Sequence, residues 1–211
     1  QSITVTVNAV NDAPVLATVS DVSFDEETSG STSLSATDVD GDDLSYSIIG
    51  GTDITATLDG SDVTFSAPAD YNGSEEFTVT VTDDDLTDTQ AIIVTVNAVN
   101  DAPVANATSG TTSEDQSVVN TLSGSDIDGD ALTFSLVSDA SNGSVTVSGS
   151  TASYTPNGNF NGSDSFTFVV SDGALSSEAT VSVTINPVND APTFITLSLD
   201  SVDEEIGRAH V

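Results

Sequence analysis

The stretch Phe77-Thr78-Val79-Thr80-Val81-Thr82 decides the fold class of this sequence. Apolar and hydroxyl side chains alternate strictly along it, and this period of two is typical of a half-buried β-strand. The same alternation occurs at residues 44–48, 63–65, 92–96, 132–136, 145–147, 166–170 and 181–185. Clusters of Gly, Asn, Asp and Ser between these runs predict turns, and no stretch has helical periodicity. The sequence therefore predicts an all-β protein.

A long internal repeat organises these strands. The tetrapeptide Asn-Asp-Ala-Pro occurs at residues 11–14, 100–103 and 189–192, so it recurs every 89 residues. Tyr-Asn-Gly-Ser at 71–74 returns as Phe-Asn-Gly-Ser at 160–163 with the same period. Modules of this length, with about seven short strands each, predict tandem Greek-key β-sandwiches of the immunoglobulin-like kind.

The repeat predicts five segments along the chain. They are the last strand of a truncated module at 1–10, module 1 at 11–99, module 2 at 100–188, the start of a truncated module 3 at 189–205, and a non-native tail at 206–211. The tail is predicted because Glu-Ile-Gly-Arg-Ala-His-Val at 205–211 resembles the translation of a sequencing adapter. Since the chain also lacks methionine, we expect it to be an internal piece of a longer protein.

The charge of the chain excludes several classes of partner. It has 34 acidic residues and a formal net charge of −33, and its single basic residue and single histidine, Arg208 and His210, lie in the predicted tail. Nucleic acids and anionic membrane surfaces need Lys and Arg, so neither is expected as a partner. Cysteine is absent, which excludes disulfides and thiolate chemistry. No apolar run is long enough for membrane insertion. Composition alone also fits a solvated acidic surface suited to a saline habitat.

Part of the acidic set recurs with the module and predicts calcium. Each copy has a Glu-containing pair, an Asp-x-Asp loop (38–40 and 126–128), a lone Asp and an Asn-Asp in its linker. Calcium takes six to eight oxygen ligands, which such residues supply. Residues two apart in an extended loop point the same way and can converge on one ion. An EF-hand is excluded, because Ile49 and Val137 stand where its final Glu is required.

These residues resemble a known family. The linker Asn-Ala-Val-Asn-Asp-Ala-Pro at 97–103 is similar in length and in its Ala-Pro end to the linkers of cadherins. The chain thus resembles the cadherin-like and immunoglobulin-like tandem repeats of large bacterial surface or secreted adhesins, including repeats-in-toxin adhesins. Asn97 and Asn100 stand where the family has Asp, and Asp70 is the nearest counterpart of the family's Leu-Asp-Arg-Glu. The resemblance implies fewer or weaker calcium ions per joint than in cadherins.

The resemblance also implies which residues meet. Glu26 and Glu27 are expected to approach the linker together with the Asp-x-Asp loop and Asp172 of the next module. The full predicted set of Ca²⁺ ligands is Asn8, Asn11, Asp12, Glu26, Glu27, Asp38, Asp40, Asp70, Asp83, Asn97, Asn100, Asp101, Glu114, Asp115, Asp126, Asp128, Asp172, Asn186, Asn189 and Asp190.

Catalysis is not expected in this chain. Without Cys or a native His most nucleophilic and general-base schemes are excluded, and a catalytic carboxylate pair is made once, whereas these acids recur. We predict a calcium-stiffened extender segment of an extracellular, cell-surface or secreted adhesin that supports cell or surface adhesion. Its partners are neighbouring modules of the same chain and a surface ligand held by a tip elsewhere. The alternatives are modules that bind partners themselves, homophilically or through carbohydrate, and accessory modules of a secreted enzyme.

Overall fold

The structure is a computed structural model that describes residues 1–8 and 10–192. Residues 193–205 of the predicted third module and the predicted tail 206–211 lie outside the described residues. The described chain divides into two compact units. Residues 1–103 together with 125–131 form the first, and residues 104–124 together with those from 132 onward form the second.

The first unit is built from nine strands. They are β1 Val15–Leu16, β2 Val22–Asp25, β3 Ser29–Ser33, β4 Ala36–Thr37, β5 Ser45–Gly50, β6 Thr55–Asp59, β7 Asp62–Ser66, β8 Gly73–Thr82 and β9 Thr87–Asn97. Strands β2-β9-β8-β5 form a four-stranded sheet, β3-β7-β6 a three-stranded sheet, and β1-β4 a short pair. The β2–β9 pairing is parallel, and the other pairings are antiparallel.

The core of the first unit lies between its two larger sheets. Phe77, Val79 and Val81 of β8 are buried, while the threonines between them are half-buried on the outer face. Phe65 of β7 meets Phe77 edge to face across the core, with ring centroids 5.3 Å apart. The alternation read from the sequence therefore places one apolar face of each sheet against the other, as in a β-sandwich.

The second unit repeats this architecture. Its strands are β10 Val104–Asn106, β11 Thr108–Ser113, β12 Val118–Thr121, β13 Ser123–Ser125, β14 Thr133–Ser138, β15 Gly143–Ser148, β16 Thr151–Pro156, β17 Gly162–Ser171 and β18 Ser176–Asn186. The sheets are β11-β18-β17-β14, β12-β16-β15 and β10-β13. Tyr154, Phe166 and Phe168 are fully buried in its core. The predicted all-β, tandem sandwich fold is confirmed.

Two details of the strand prediction differ from the structure. Among its described residues each unit has nine strands rather than about seven, because the short strands β1, β4, β10 and β13 carry no alternating pattern. The strand predicted within 1–10 is not formed. Residues 1–8 have no secondary structure, and Ile3 and Val7 are each 89 % exposed. A strand without a paired neighbour is not stable in water, which explains this difference.

The described residues contain no helix that is long and apolar enough to cross a membrane.

Candidate metal centre

The Asp-x-Asp-Gly-Asp loop at 38–42 is organised by one of its own carboxylates. Oδ1 of Asp38 accepts hydrogen bonds from the backbone N–H groups of Asp40, Gly41 and Asp42, at 2.8, 2.9 and 3.3 Å. Gly41 has φ +80°, a backbone conformation that glycine adopts without strain. The turn brings oxygens of Asp38, Asp40 and Asp42 within 4.8 Å of one another. Three carboxylates thus converge on one point.

The loop at 126–130 has the same geometry. Oδ1 of Asp126 accepts a hydrogen bond from the backbone N–H of Asp130 at 3.2 Å, and Gly129 has φ +81°. Oxygens of Asp126, Asp128 and Asp130 lie within 4.8 Å of one another. The structure therefore builds the same three-carboxylate loop twice.

Each of these loops holds a buried oxygen without a partner. Oδ2 of Asp38 and Oδ2 of Asp126 are both buried, and neither has a hydrogen-bond partner among the described residues. A buried polar atom without a partner costs free energy, and native proteins rarely leave one. Because the two atoms occupy equivalent places, the feature belongs to the module and not to one accidental contact.

Each loop also receives a backbone N–H from an Asn-Asp-Ala-Pro segment. The N–H of Asp12 donates to Oδ2 of Asp40 at 2.7 Å, and the N–H of Asp101 donates to Oδ2 of Asp128 at 2.8 Å. In the first case Asn11 adds a second contact, from its Nδ2 to Oδ2 of Asp83 at 3.0 Å. The linker motif and the Asp-x-Asp loop are therefore connected directly.

The carboxylate of Glu26 meets Asp101 and Asp128. Glu26 is only 4 % exposed, at the end of β2. Its backbone N–H donates to the carbonyl of Asn97 at 3.0 Å, and its Oε1 accepts a hydrogen bond from the N–H of Val99. These bonds fix Glu26 against the linker. Oxygens of Glu26, Asp101 and Asp128 then lie within 4.8 Å of one another.

A second group shares Asp101. Oxygens of Glu27, Asp70 and Asp101 lie within 4.8 Å of one another. Glu27 and Asp70 have positive φ values of 60° and 58°, which are uncommon in residues other than glycine. Such conformations are costly and concentrate at functional sites. Both residues that join Asp101 in this group therefore have a left-handed backbone conformation.

The electrostatics of the first unit reflect this crowding. Burial first, and then the negative charges of Asp70, Glu27, Asp128 and Glu26, raise the pKa of Asp101. Burial and the neighbouring carboxylates of the 38–42 loop also raise the pKa of Asp42. In contrast, hydrogen bonds, chiefly from the N–H of Leu86, lower the pKa of Asp83. The converging carboxylates therefore repel one another when all are ionised.

The corresponding acids of the second unit accept hydrogen bonds from neighbouring chain segments. Glu114, which is 5 % exposed, accepts bonds from the N–H of Val188 at Oε1 and from Nδ2 of Asn161 at Oε2, the latter at 3.2 Å. Oδ1 of Asp115 accepts the N–H of Asn159 at 3.0 Å. Asn159 occupies the position of Asp70 and has a similar φ of 56°. The second unit thus keeps the backbone geometry with one fewer carboxylate.

Several predicted ligands lie outside the four carboxylate groups found among the described residues. The acids are Asp12, Asp83, Glu114, Asp115, Asp172 and Asp190. Asp172 accepts the N–H groups of Ala174 and Leu175 at Oδ1. Nδ2 of Asn97 donates to Ser23 and Asp25, both at 3.1 Å, on the outer face of the sheet.

The remaining predicted ligands are asparagines of the linker segments. Nδ2 of Asn100 donates to the carbonyl of Asp101 at 3.1 Å, and Nδ2 of Asn189 donates to that of Asp190 at 3.3 Å. Asn8 and Asn186 are exposed. The prediction of these four asparagines as ligands stays a prediction.

Sequence analysis missed Asp42 and Asp130. Both complete a three-carboxylate loop, and both stand two residues after a predicted ligand in Asp-x-Asp-Gly-Asp. The signal was present in the motif, because a glycine with positive φ turns the chain so that the fifth residue faces the first.

The chemistry of these groups fits a hard cation. Carboxylate oxygens are the preferred ligands of calcium, and each group offers at least three. No Lys, Arg or His occurs before Arg208, so no basic side chain is available in residues 1–192 to neutralise them. A divalent cation would satisfy the orphaned oxygens and remove the repulsion together.

Comparison with known proteins agrees with the fold. The family model described as "Bacterial Ig domain" matches residues 11–95 and 100–184. A structure of human protocadherin-24 EC1-2 is similar over 86 % of this chain and 100 % of its own, with 19 % identity and a TM-score of 0.59. A second crystal structure of the same protein gives 15 % identity over 85 % and 100 %, with a TM-score of 0.55. These likenesses show the fold alone.

One further similarity concerns an enzyme. The endo-fucoidan hydrolase MfFcnA4 of glycoside hydrolase family 107 is 23 % identical over 83 % of this chain, with a TM-score of 0.36. This chain spans 29 % of the length of that protein. At that TM-score the likeness supports no inference about activity. The curated proteins contain no match to this sequence.

Proposed function

Because this chain belongs to the bacterial Ig domain family, with two tandem copies, we propose that it is a calcium-stiffened extender segment of a large extracellular bacterial adhesin. In this role the modules separate an adhesive tip from the cell and support cell or surface adhesion. Domains of this family are often extracellular and typically non-catalytic, which agrees with such a role.

The observation that carries the proposal is the repeated orphaned oxygen. Oδ2 of Asp38 and Oδ2 of Asp126 are buried without a hydrogen-bond partner among the described residues, at equivalent positions of two carboxylate loops. A solvated acidic surface does not bury carboxylate oxygens, since a charged group loses its hydration there. A cation bound at each loop would give the buried oxygen of that loop a partner.

Calcium is the cation that the ligand set favours. Calcium accepts six to eight oxygens in flexible geometry, whereas magnesium demands a small octahedral shell and loses its water reluctantly. Two of the four groups combine carboxylates from separate chain segments, as Glu26, Asp101 and Asp128 do, and the other two lie within single loops. Backbone carbonyls and water would supply the remaining ligands.

Stiffening follows from where the ligands sit in the sequence. Asp101 belongs to the linker 97–103, Glu26 and Glu27 follow β2, and Asp128 belongs to the repeat that follows the linker. A calcium ion shared by these residues would hold the linker to chain segments on both sides of it in sequence. Without the ion, the same carboxylates repel one another and favour bending. Stability then becomes a sum of module and ion-dependent linker contributions, as in other repeat proteins.

The test is calorimetric titration and thermal denaturation of the complete chain with calcium and, separately, with magnesium at matched ionic strength. We expect saturable calcium binding and a raised Tm, with weaker binding of magnesium. If adding calcium gives no heat of binding and no change in Tm, the proposal is contradicted.

A further inference from the structure

Asparagine followed by glycine occurs four times in this chain. The four asparagines are Asn72, Asn142, Asn157 and Asn161. In such a pair the backbone nitrogen of the glycine can reach the side-chain carbon of the asparagine, because glycine has no Cβ to obstruct the approach. The reaction requires a backbone that can rearrange, so the fold decides which of the four pairs is reactive.

Three of the four pairs are held by β-structure. Gly73 pairs with Val96 in β8, Gly143 pairs with Pro156 in β15, and Gly162 pairs with Ile185 in β17. The amide of Asn161 is held further, since its Nδ2 donates to Oε2 of Glu114 at 3.2 Å. Each of these glycines is the first residue of its strand, so rearranging the pair would disrupt strand pairing there.

The fourth pair, Asn157-Gly158, lies in an exposed turn between β16 and β17. The N–H of Phe160 donates to the carbonyl of Asn157 at 3.1 Å, which closes the turn. No hydrogen bond of the Gly158 N–H is found within the described residues. The nearest outside atom to a Cβ placed on Gly158 is Oδ1 of Asp115, at 4.0 Å. The N–H of Asn157 donates to the carbonyl of Asn142 at 2.8 Å, so of the two backbone nitrogens of this pair it is that of Gly158 that no hydrogen bond holds among the described residues.

We propose that Asn157 is a site of spontaneous deamidation. The nitrogen of Gly158 attacks Cγ of Asn157 and forms a new C–N bond, while the bond from Cγ to Nδ2 breaks. The departing nitrogen leaves as ammonia with the proton lost from Gly158, and a five-membered succinimide remains. Water then opens either carbonyl of the ring and yields aspartate or isoaspartate.

The modification is specific to the second module. The first module has Pro68-Ala69 where the second has Asn157-Gly158, so the equivalent turn has no reactive amide. The product adds a negative charge to a turn that Asp115 already contacts through the N–H of Asn159. The two modules would therefore diverge in charge as the protein ages. This inference is independent of calcium binding.

The test is peptide mapping by mass spectrometry after prolonged incubation of the complete folded chain at neutral and mildly alkaline pH. A protease specific for acidic residues is needed because Arg208 is the only tryptic site. We expect the exchange of NH₂ for OH to accumulate first at Asn157, and faster at higher pH because the attacking nitrogen must lose its proton. In denaturant all four pairs should react at similar rates.

Two variants separate the chemistry from the fold. Asn157→Gln should abolish the modification at this position. Gly158→Ala should slow it strongly while preserving the fold, since its Cβ would meet no atom closer than 4.0 Å and its φ is not positive. Equal or faster reaction at Asn72, Asn142 or Asn161 in the folded chain, or an unmodified Asn157, would overturn the proposal.

Discussion

The backbone N–H of Asp101 donates a hydrogen bond to Oδ2 of Asp128 at 2.8 Å, although both side chains belong to one group of carboxylates with Glu26. The same bond joins Asp12 to Asp40 at 2.7 Å. In each case one peptide N–H orders the linker motif and the acidic loop, and it leaves the negative charges uncompensated. No Lys, Arg or His lies within the described residues to neutralise this group.

Removing two carboxylates of the second acidic loop should reduce the number of calcium ions that the chain binds. In the double variant Asp126→Ala with Asp128→Ala, the orphaned oxygen and the bond from Asp101 are both lost. We expect fewer ions bound per chain by calorimetry, with circular dichroism unchanged because the loop lies outside the sheets. The matched control is Asp59→Ala with Glu178→Ala, which removes two exposed charges outside the four carboxylate groups. Equal loss in the control would assign the effect to net charge alone.

Exchanging one residue between the modules should shift affinity in opposite directions. Asp70→Asn gives the first module the residue found in the second, and Asn159→Asp does the reverse. Both residues have φ near 57°, a conformation that Asp and Asn tolerate. Since ligand charge tunes calcium affinity, we expect Asp70→Asn to weaken the affected site by about tenfold and Asn159→Asp to strengthen binding. Unchanged titration curves for both variants would exclude Asp70 from the ligand set.

The effect of Asp101→Asn on Tm should have opposite signs with and without calcium. The pKa of Asp101 is raised, so its ionised form destabilises the folded state. Its stabilising contribution is present below the ordinary value of 3.8 and is lost as pH rises through the raised pKa. With chelator at neutral pH we therefore expect Asp101→Asn to raise Tm, and this gain to vanish in acid. With calcium the variant should lower Tm, because a ligand is lost. A variant that lowers Tm equally in both conditions would contradict the proposed repulsion.

The opposite pH dependence is expected at Glu75. Its carboxylate accepts the N–H groups of Thr52, Asp53 and Ile54 at 2.8, 3.1 and 2.9 Å. Burial alone would raise the pKa of Glu75, but these three bonds outweigh it and the pKa is lowered. The stabilisation is present above the ordinary value of 4.5 and is lost as pH falls through the lowered pKa.

The variant Glu75→Gln should therefore destabilise the first unit at neutral pH, by about 1–3 kcal/mol for hydrogen bonds to a charged group. The difference from the unaltered chain should shrink in acid. Chemical denaturation across this pH range measures both. A difference independent of pH would mean that the charge of Glu75 does not hold the 51–54 loop.

The sequence predicted the fold from its longest strands, where alternation is unbroken. From Phe77 to Val81 in β8 and from Phe166 to Val170 in β17 every second residue is buried, so the pattern alone assigns the buried face. The edge strand β3 reads Ser-Gly-Ser-Thr-Ser and has no such pattern. It pairs with β7, and Gly30 lets Phe24 pack closely against it, since a Cβ there would lie 2.6 Å from the Phe24 ring. That contact is set by the tertiary structure and not by local periodicity.

The candidate site was predictable only in part. Recurrence of acids with the module predicts Asp38, Asp126 and their neighbours as ligands, and the structure places both residues in three-carboxylate loops. The direction of the Asn97 side chain was not predictable. Asn97 is the last residue of β9, and its side-chain amide donates to Ser23 and Asp25 on the outer face of the sheet. Linker spacing gives the position of a side chain along the chain but not the face of the sheet to which it points.

We expect bound calcium to restrict bending of the linker 97–103. Small-angle X-ray scattering of the complete chain, with saturating calcium and with chelator at matched ionic strength, tests this restriction. At a calcium concentration a hundredfold above the dissociation constant, the bound state should gain about 2.7 kcal/mol. We predict a larger maximum dimension and a narrower distribution of dimensions with calcium than with chelator. Superimposable scattering curves in the two conditions would contradict the account.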